Sequence, residues 1–175
     1  MNLRPLVLLT IPVLSGCGRH ESSSGAAILV PRDSAQCAGT GRQWLGGAPP
    51  ALPAALERES VLRSCRDRWN SDATVALHAA FLTRLGGAHA EAGEVVKAVS
   101  RVDEGLTELE TARRTWPRSA FLRTIHAITL SRLPGLFRKR EAARDSLGAI
   151  ARTEPDSTLR RLALEALARL RESKD

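Results

Sequence analysis

Residues 109–119, LETARRTWPRS, and residues 147–157, LGAIARTEPDS, carry one pattern, L-x4-R-T-x-P-x-S, at an offset of 38 positions. Leu109, Arg114, Thr115, Pro117 and Ser119 correspond to Leu147, Arg152, Thr153, Pro155 and Ser157. Proline has no amide proton and its ring crowds the preceding turn, so it stops a helix. The polar residues beside it offer oxygen atoms to the free amides of a new one. Each copy therefore predicts one helix ending and another beginning. After the first copy, Phe121, Leu122, Ile125 and Ile128 recur at helical spacing; after the second, Leu159, Leu162, Ala163, Ala166, Leu167 and Leu170 do the same. Apolar stripes this broad need neighbours, and stacked helical hairpins supply them. The expected class is all-α, with hairpins stacked as a short solenoid or gathered in an irregular bundle.

Working back towards the N-terminus, helical periodicity continues to about Pro53 and no strand-like alternation interrupts it. A helix over 53–68 begins well, because proline suits the first helical position. Asn70-Ser71-Asp72 offers caps for a second helix, expected over 73–85. It is apolar nearly all round (Val75, Ala76, Leu77, Ala79, Ala80, Phe81, Leu82) and so should be central, ending at Gly86-Gly87. A third, long helix is expected over 88–115. Ala92, Val95, Val99, Val102, Leu106 and Leu109 form a seam along it like that of a coiled coil. Gly93 and Gly105 each weaken it by about 1 kcal/mol relative to alanine, which predicts a bend at one or the other.

Over residues 105–172 the chain resembles tetratricopeptide-like repeats. Ala143, Leu147, Ile150 and Pro155 occupy the second-helix positions of that pattern, and Leu109, Ala112 and Pro117 match its last three. The sequence departs from the pattern in three ways. The offset is longer than the usual 34 residues, the first-helix aromatic signature is missing, and Gly105 and Pro134 stand where an alanine and an aromatic are expected. The resemblance implies binding of a protein or peptide by a concave helical surface. It implies no chemistry.

At the other end of the chain, Leu14-Ser15-Gly16-Cys17 follows a leader with a positive residue, Arg4, and an apolar core from Leu6 to Leu14. That core is shorter than the roughly 20 residues needed to span a bilayer. The segment resembles a bacterial lipobox. This implies removal of residues 1–16 and a lipid on the thiol of Cys17, with more than one acyl chain giving stable anchoring. Gly18, rather than an aspartate, then implies the outer membrane of a Gram-negative cell. Residues 17–52, rich in Gly, Ser, Pro and Ala, read as a flexible tether. The apolar patch Ala26-Ala27-Ile28-Leu29-Val30 is able to dock on the folded part. Two further cysteines, Cys37 and Cys65, would sit in an oxidising compartment and could pair. The alternative makes Cys65 a core thiol, on one helix face with Leu62 and Trp69.

Charge is segregated. Residues 88–112 hold six acids and two bases, whereas residues 113–175 hold fifteen bases and seven acids, within a chain of net charge +7. Such a balance ordinarily raises nucleic acid as a partner, but an anchored envelope protein would not meet it and only three Trp, three Phe and no Tyr are available to stack bases. The expected partners are another envelope protein, the membrane through the lipid anchor, and anionic phospholipid or lipid A phosphates. Candidate partner-binding residues are Arg123, His126, Arg138, Lys139, Arg140 and Arg161. No histidine has a carboxylate or cysteine at a recognised catalytic spacing, and no nucleophile, phosphate-loop or metal-ligand motif is present. The expectation is a non-catalytic interaction or assembly module, with no cofactor and no metal. The alternatives are a helical solute- or lipid-binding component, and a membrane-surface structural protein acting through its basic half.

Overall fold

A computed structural model describes residues 33–47 and 50–172. The expected leader, the lipid site at Cys17 and the patch 26–30 lie outside the described residues. Seven α-helices are present among those described: α1 Ser34–Gly46, α2 Leu52–Trp69, α3 Asp72–Glu91, α4 Val95–Thr115, α5 Ala120–Ser131, α6 Arg140–Thr153 and α7 Ser157–Glu172. One 3-10 turn, Gly135–Phe137, links α5 to α6. The all-α expectation holds.

Odd-numbered helices form one layer, α1 against α3, α3 against α5 and α5 against α7. Each even-numbered helix packs on its two sequence neighbours and completes a second layer. Two cores result. The first surrounds Phe81 and Leu77 of α3 and takes Leu62, Leu109, Leu122 and Ile125 from the helices around it. The second joins Ala127 and Leu130 of α5 to Leu147 and Ile150 of α6 and Ala163, Ala166 and Leu170 of α7, with Val102 reaching in from α4.

Both copies of the repeat make the same local structure. Leu109 and Leu147 are fully buried. Trp116 and Glu154 close α4 and α6 by donating their amides to Ala112 O (2.8 Å) and Ile150 O (3.0 Å). Ser119 then caps α5 by accepting from Leu122 N at 3.1 Å. In the second copy the cap moves one residue back, to Asp156, which accepts from Thr158 N at 2.7 Å.

The boundaries differ from expectation in two places. Residues 34–46 are not part of a tether. Asp33 caps α1 through Gln36 N (2.7 Å), and Cys37, Ala38, Gly41 and Leu45 turn one face into the body. Gly41 is needed there, since a Cβ would lie 2.9 Å from Leu77 Cβ. The composition was diluted by exposed polar residues that hide this narrow face. Nor does Gly86-Gly87 end a helix; α3 continues to Glu91, and the reversal falls at Gly93, whose φ is +80°. Gly86 serves close approach instead, because a Cβ there would meet Ala98 O of α4 at 2.8 Å. Gly105 does the same from α4, where a Cβ would lie 2.5 Å from Ala79 O. Glycine at these two points lets α3 and α4 pack backbone to backbone, which outweighs its poor helix propensity.

Cys37 and Cys65, 28 positions apart in sequence, come together at disulfide distance, with Cα atoms 5.9 Å apart. The link joins α1 to α2, helix to helix, and is packed by Val61, Trp44 and Trp69.

Candidate functional site

The layer of odd-numbered helices carries a groove of about 670 Å³. Its walls are Leu77, Ala80 and Thr83 of α3, Val95, Ala98 and Val99 at the start of α4, Ile125, Ile128 and Thr129 of α5, Leu136 and Phe137 of the 3-10 turn and Leu162 of α7. Val95 (64%), Val99 (51%) and Leu136 (75%) remain largely exposed along it. Val95 and Val99 keep the seam's spacing, and among the described residues no helix covers them. An apolar concavity of this size with a few placed polar groups is the usual form of a binding site.

Arginines supply those polar groups. Arg42, Arg84, Arg132 and Arg169 line the groove, against Glu91 as its single carboxylate among the described residues. Leu45 O, at the end of α1, accepts from Arg84 Nη1 at 2.5 Å and from Arg132 Nη1 at 2.9 Å, and Gly47 O accepts from Arg84 Nη2 at 2.7 Å. The two cations thus satisfy carbonyls that a helix C-terminus leaves open. Among the described residues neither meets a carboxylate, and Arg84 Nε is buried without a hydrogen-bond partner. Burial, then the neighbouring charges of Arg84 and Arg169, pull the Arg132 guanidinium below its ordinary pKa. Arg169 has one loose ion pair, to Glu165 at 3.8 Å.

A second cavity, about 380 Å³, opens where the groove meets the loop after α5 and shares Arg132, Leu133, Pro134 and Arg169 with it. Ser131, Gly135, Arg140, Ala166 and Leu170 complete its wall. An apolar trough therefore ends in a small chamber bounded by three arginines.

The residues singled out in the sequence do not form one site. Arg140 reaches the chamber. Arg138, in a left-handed conformation (φ 52°), and Lys139 are exposed on the loop before α6. His126 is buried on another face of α5, 3.3 Å from Arg113 Nη1. Burial, then the charges of Arg113 and Lys139, lower its pKa to about 4, so the ring is neutral at pH 7. Arg123 donates to Pro117 O at 3.3 Å and lies 3.7 Å from Glu154. Arg161 pairs with Glu165 across one helical turn at 3.3 Å. Neither His126 nor Arg123 lines this groove. The reason is rotational: residues 125, 128, 129 and 132 share the groove face of α5, and 123 and 126 fall off it.

A second cluster was invisible in the sequence. His78, fully buried in α3, places Nδ1 2.8 Å from Glu108 of α4 and Nε2 3.1 Å from Glu59 of α2. Arg63 backs Glu59 at 2.8 Å and Arg66 backs Glu108 at 3.2 Å. Burial alone would lower the His78 pKa, but hydrogen bonds to Glu108 and Glu59 outweigh it and hold it above the usual histidine value. Burial would raise the Glu59 carboxyl, and the bonds from His78 and Arg63 reverse that. With both ring nitrogens engaged, this triad is a polar weld between three helices.

Among the described residues no group of three or more His, Cys, Asp and Glu is placed to hold a metal ion, and no helix is long and apolar enough to cross a membrane. No protein-family model, curated protein or solved structure matches the chain.

Proposed function

We propose that this chain is a non-catalytic binding module of the bacterial cell envelope, held at the membrane by a lipid on Cys17, whose partner occupies the groove of the odd-numbered helices. One observation carries the binding reading: Val95, Val99 and Leu136 stay exposed around a groove that is otherwise aliphatic. Water contact with such a patch is unfavourable, and exposed apolar surface rimmed by charge marks interaction sites. The anchor reading rests on the Leu14-Ser15-Gly16-Cys17 resemblance, and the approach of Cys37 to Cys65 suits an oxidising compartment. The tetratricopeptide-like resemblance of residues 105–172 favours a protein or peptide partner. A second reading, a lipid- or solute-binding component, is favoured by the arginine-walled chamber at the end of the groove. Nucleic acid is not proposed as a partner.

Feeding cells an alkyne-bearing palmitate tests the anchor. The native chain is expected to take the label, lose residues 1–16 and sediment with membranes, outer membranes in a Gram-negative host. The Cys17→Ser chain should stay unlabelled and be released. An unlabelled native chain with its first residue intact would refute the anchored reading and return nucleic acid to the candidates.

A further inference from the structure

The groove and the chamber are contiguous, and they differ in chemistry. The groove is mostly aliphatic away from its arginine end; the chamber is bounded by Arg132, Arg140 and Arg169, with the Ser131 hydroxyl beside them. Arg132 spends one N–H on Leu45 O and leaves Nη2 and Nε without a protein partner among the described residues. Among the described residues Arg169 has only the 3.8 Å contact to Glu165. We infer that the two spaces together bind a single-chain anionic amphiphile: one alkyl chain along Val99, Ile128 and Leu136, and a carboxylate or phosphate head on Arg132 and Arg169. This rests on reading the groove as the binding surface and goes further in naming what it binds.

The guanidinium groups of Arg132 and Arg169 lie close enough to repel each other, with only the loose Glu165 contact to offset them among the described residues, and a forked anion answers them with paired, charge-assisted hydrogen bonds. The apolar argument separates an alkyl chain from a peptide. A peptide brings one N–H and one C=O per residue, each of which needs a partner when buried. The groove walls offer few, since the helices use their own backbone groups and most lining side chains are Val, Leu, Ile, Ala and Phe. An alkyl chain carries no such requirement. The segment Ala26–Val30 is uncharged and would leave the arginines unanswered.

The experiment uses the full chain carrying Cys17→Ser, which cannot be acylated there. Two fluorescent probes are titrated: 11-(dansylamino)undecanoic acid, which has an anionic head, and uncharged N-phenyl-1-naphthylamine. Palmitate, hexadecyl phosphate and hexadecanol then compete. We expect saturable binding of both probes, and displacement by palmitate or hexadecyl phosphate at concentrations at least about tenfold below that of hexadecanol, the factor of one charge-assisted hydrogen bond. The better of the two anions identifies the head as carboxylate or phosphate. Arg132→Gln with Arg169→Ala should erase the preference and spare the uncharged probe. Val99→Asp, at an exposed position, should abolish binding of both. Because Arg132 also holds α1, thermal melting is run on each variant, and Arg169→Ala alone carries the head test should the pair unfold. Hexadecanol competing as well as the anions, or a preference that survives loss of the arginines, overturns the inference while leaving an apolar groove. If neither probe binds saturably, the amphiphile inference falls, while the groove reading stands or falls on the crosslinking of a protein partner.

Discussion

His78 and His126 are both buried imidazoles, and their surroundings push them in opposite directions. Two glutamates clasp His78 and raise its pKa, so its ion pairs stabilise the fold fully below about pH 6.5, the unfolded value, and the contribution fades as pH rises through the higher folded value. Removing the ring leaves Glu59 and Glu108 facing each other across a space without the cation between them. His78→Leu is expected to cost about 3 kcal/mol at pH 6 in urea unfolding, and measurably less at pH 9. His126 has its pKa lowered to about 4 by burial and by Arg113 and Lys139, so it folds neutral. Its unfolded form takes up a proton below about pH 6.5, and stability is therefore lost as pH falls from 6.5 towards 4. His126→Leu should flatten that limb: between pH 7 and pH 5 its melting temperature is expected to fall less than that of the native chain. In the sequence only His126 stood out as a candidate, and neither ring had a carboxylate nearby. Glu59 and Glu108 lie 19 and 30 positions from His78, and only the packing of three helices brings them to it.

Glycine separates what helix patterning reveals from what packing decides. Gly86 and Gly105 are where α3 and α4 touch backbone to backbone, whereas Gly87 has nothing within 4 Å of an added Cβ. Gly105→Ala is expected to destabilise the fold by about 2 kcal/mol, the cost of overpacking a close helix crossing. Gly87→Ala should stabilise it by about 0.5 to 1 kcal/mol through helix propensity. Chemical denaturation of the two variants checks both signs, and a stabilising Gly105→Ala would contradict the close crossing. The same distinction explains which elements were legible. Repeated proline turns gave the ends of α4 and α6 and the starts of α5 and α7, because those signals are local. The reading of Gly86-Gly87 as a stop failed, since a glycine pair looks the same in sequence whether it breaks a helix or lets another approach. Helix α1 was missed because its buried face has one large apolar residue, Leu45, beside the small Cys37, Ala38 and Gly41, too few to mark a helical stripe. Its attachment leans on the link to α2. The Cys37→Ala, Cys65→Ala double variant should lose about 3 to 4 kcal/mol, the chain-entropy value for a loop of this length, with proteolysis beginning at α1.

Taken as a molecule, the chain is a two-layer stack of hairpins whose inner layer is unfinished. Of the seam on α4, Val102 and Leu109 are buried, whereas Val95 and Val99 stay exposed and line the groove. The arginines that give the site its charge, Arg84, Arg132 and Arg169, come from three helices and share no local spacing. Of the basic residues chosen from the sequence, Arg140 alone joins them. Net charge was readable from composition; its concentration at one end of an apolar trough follows from the order in which the helices stack. Occupancy of the groove in living cells is the most direct test. A photoreactive benzoylphenylalanine is placed at Val99 in the native chain and, as a control, at Glu110 on the outer layer. The account predicts a discrete adduct of defined mass from position 99, protein or amphiphile, and none from position 110. Equal adducts from both positions, or none from position 99, would contradict it.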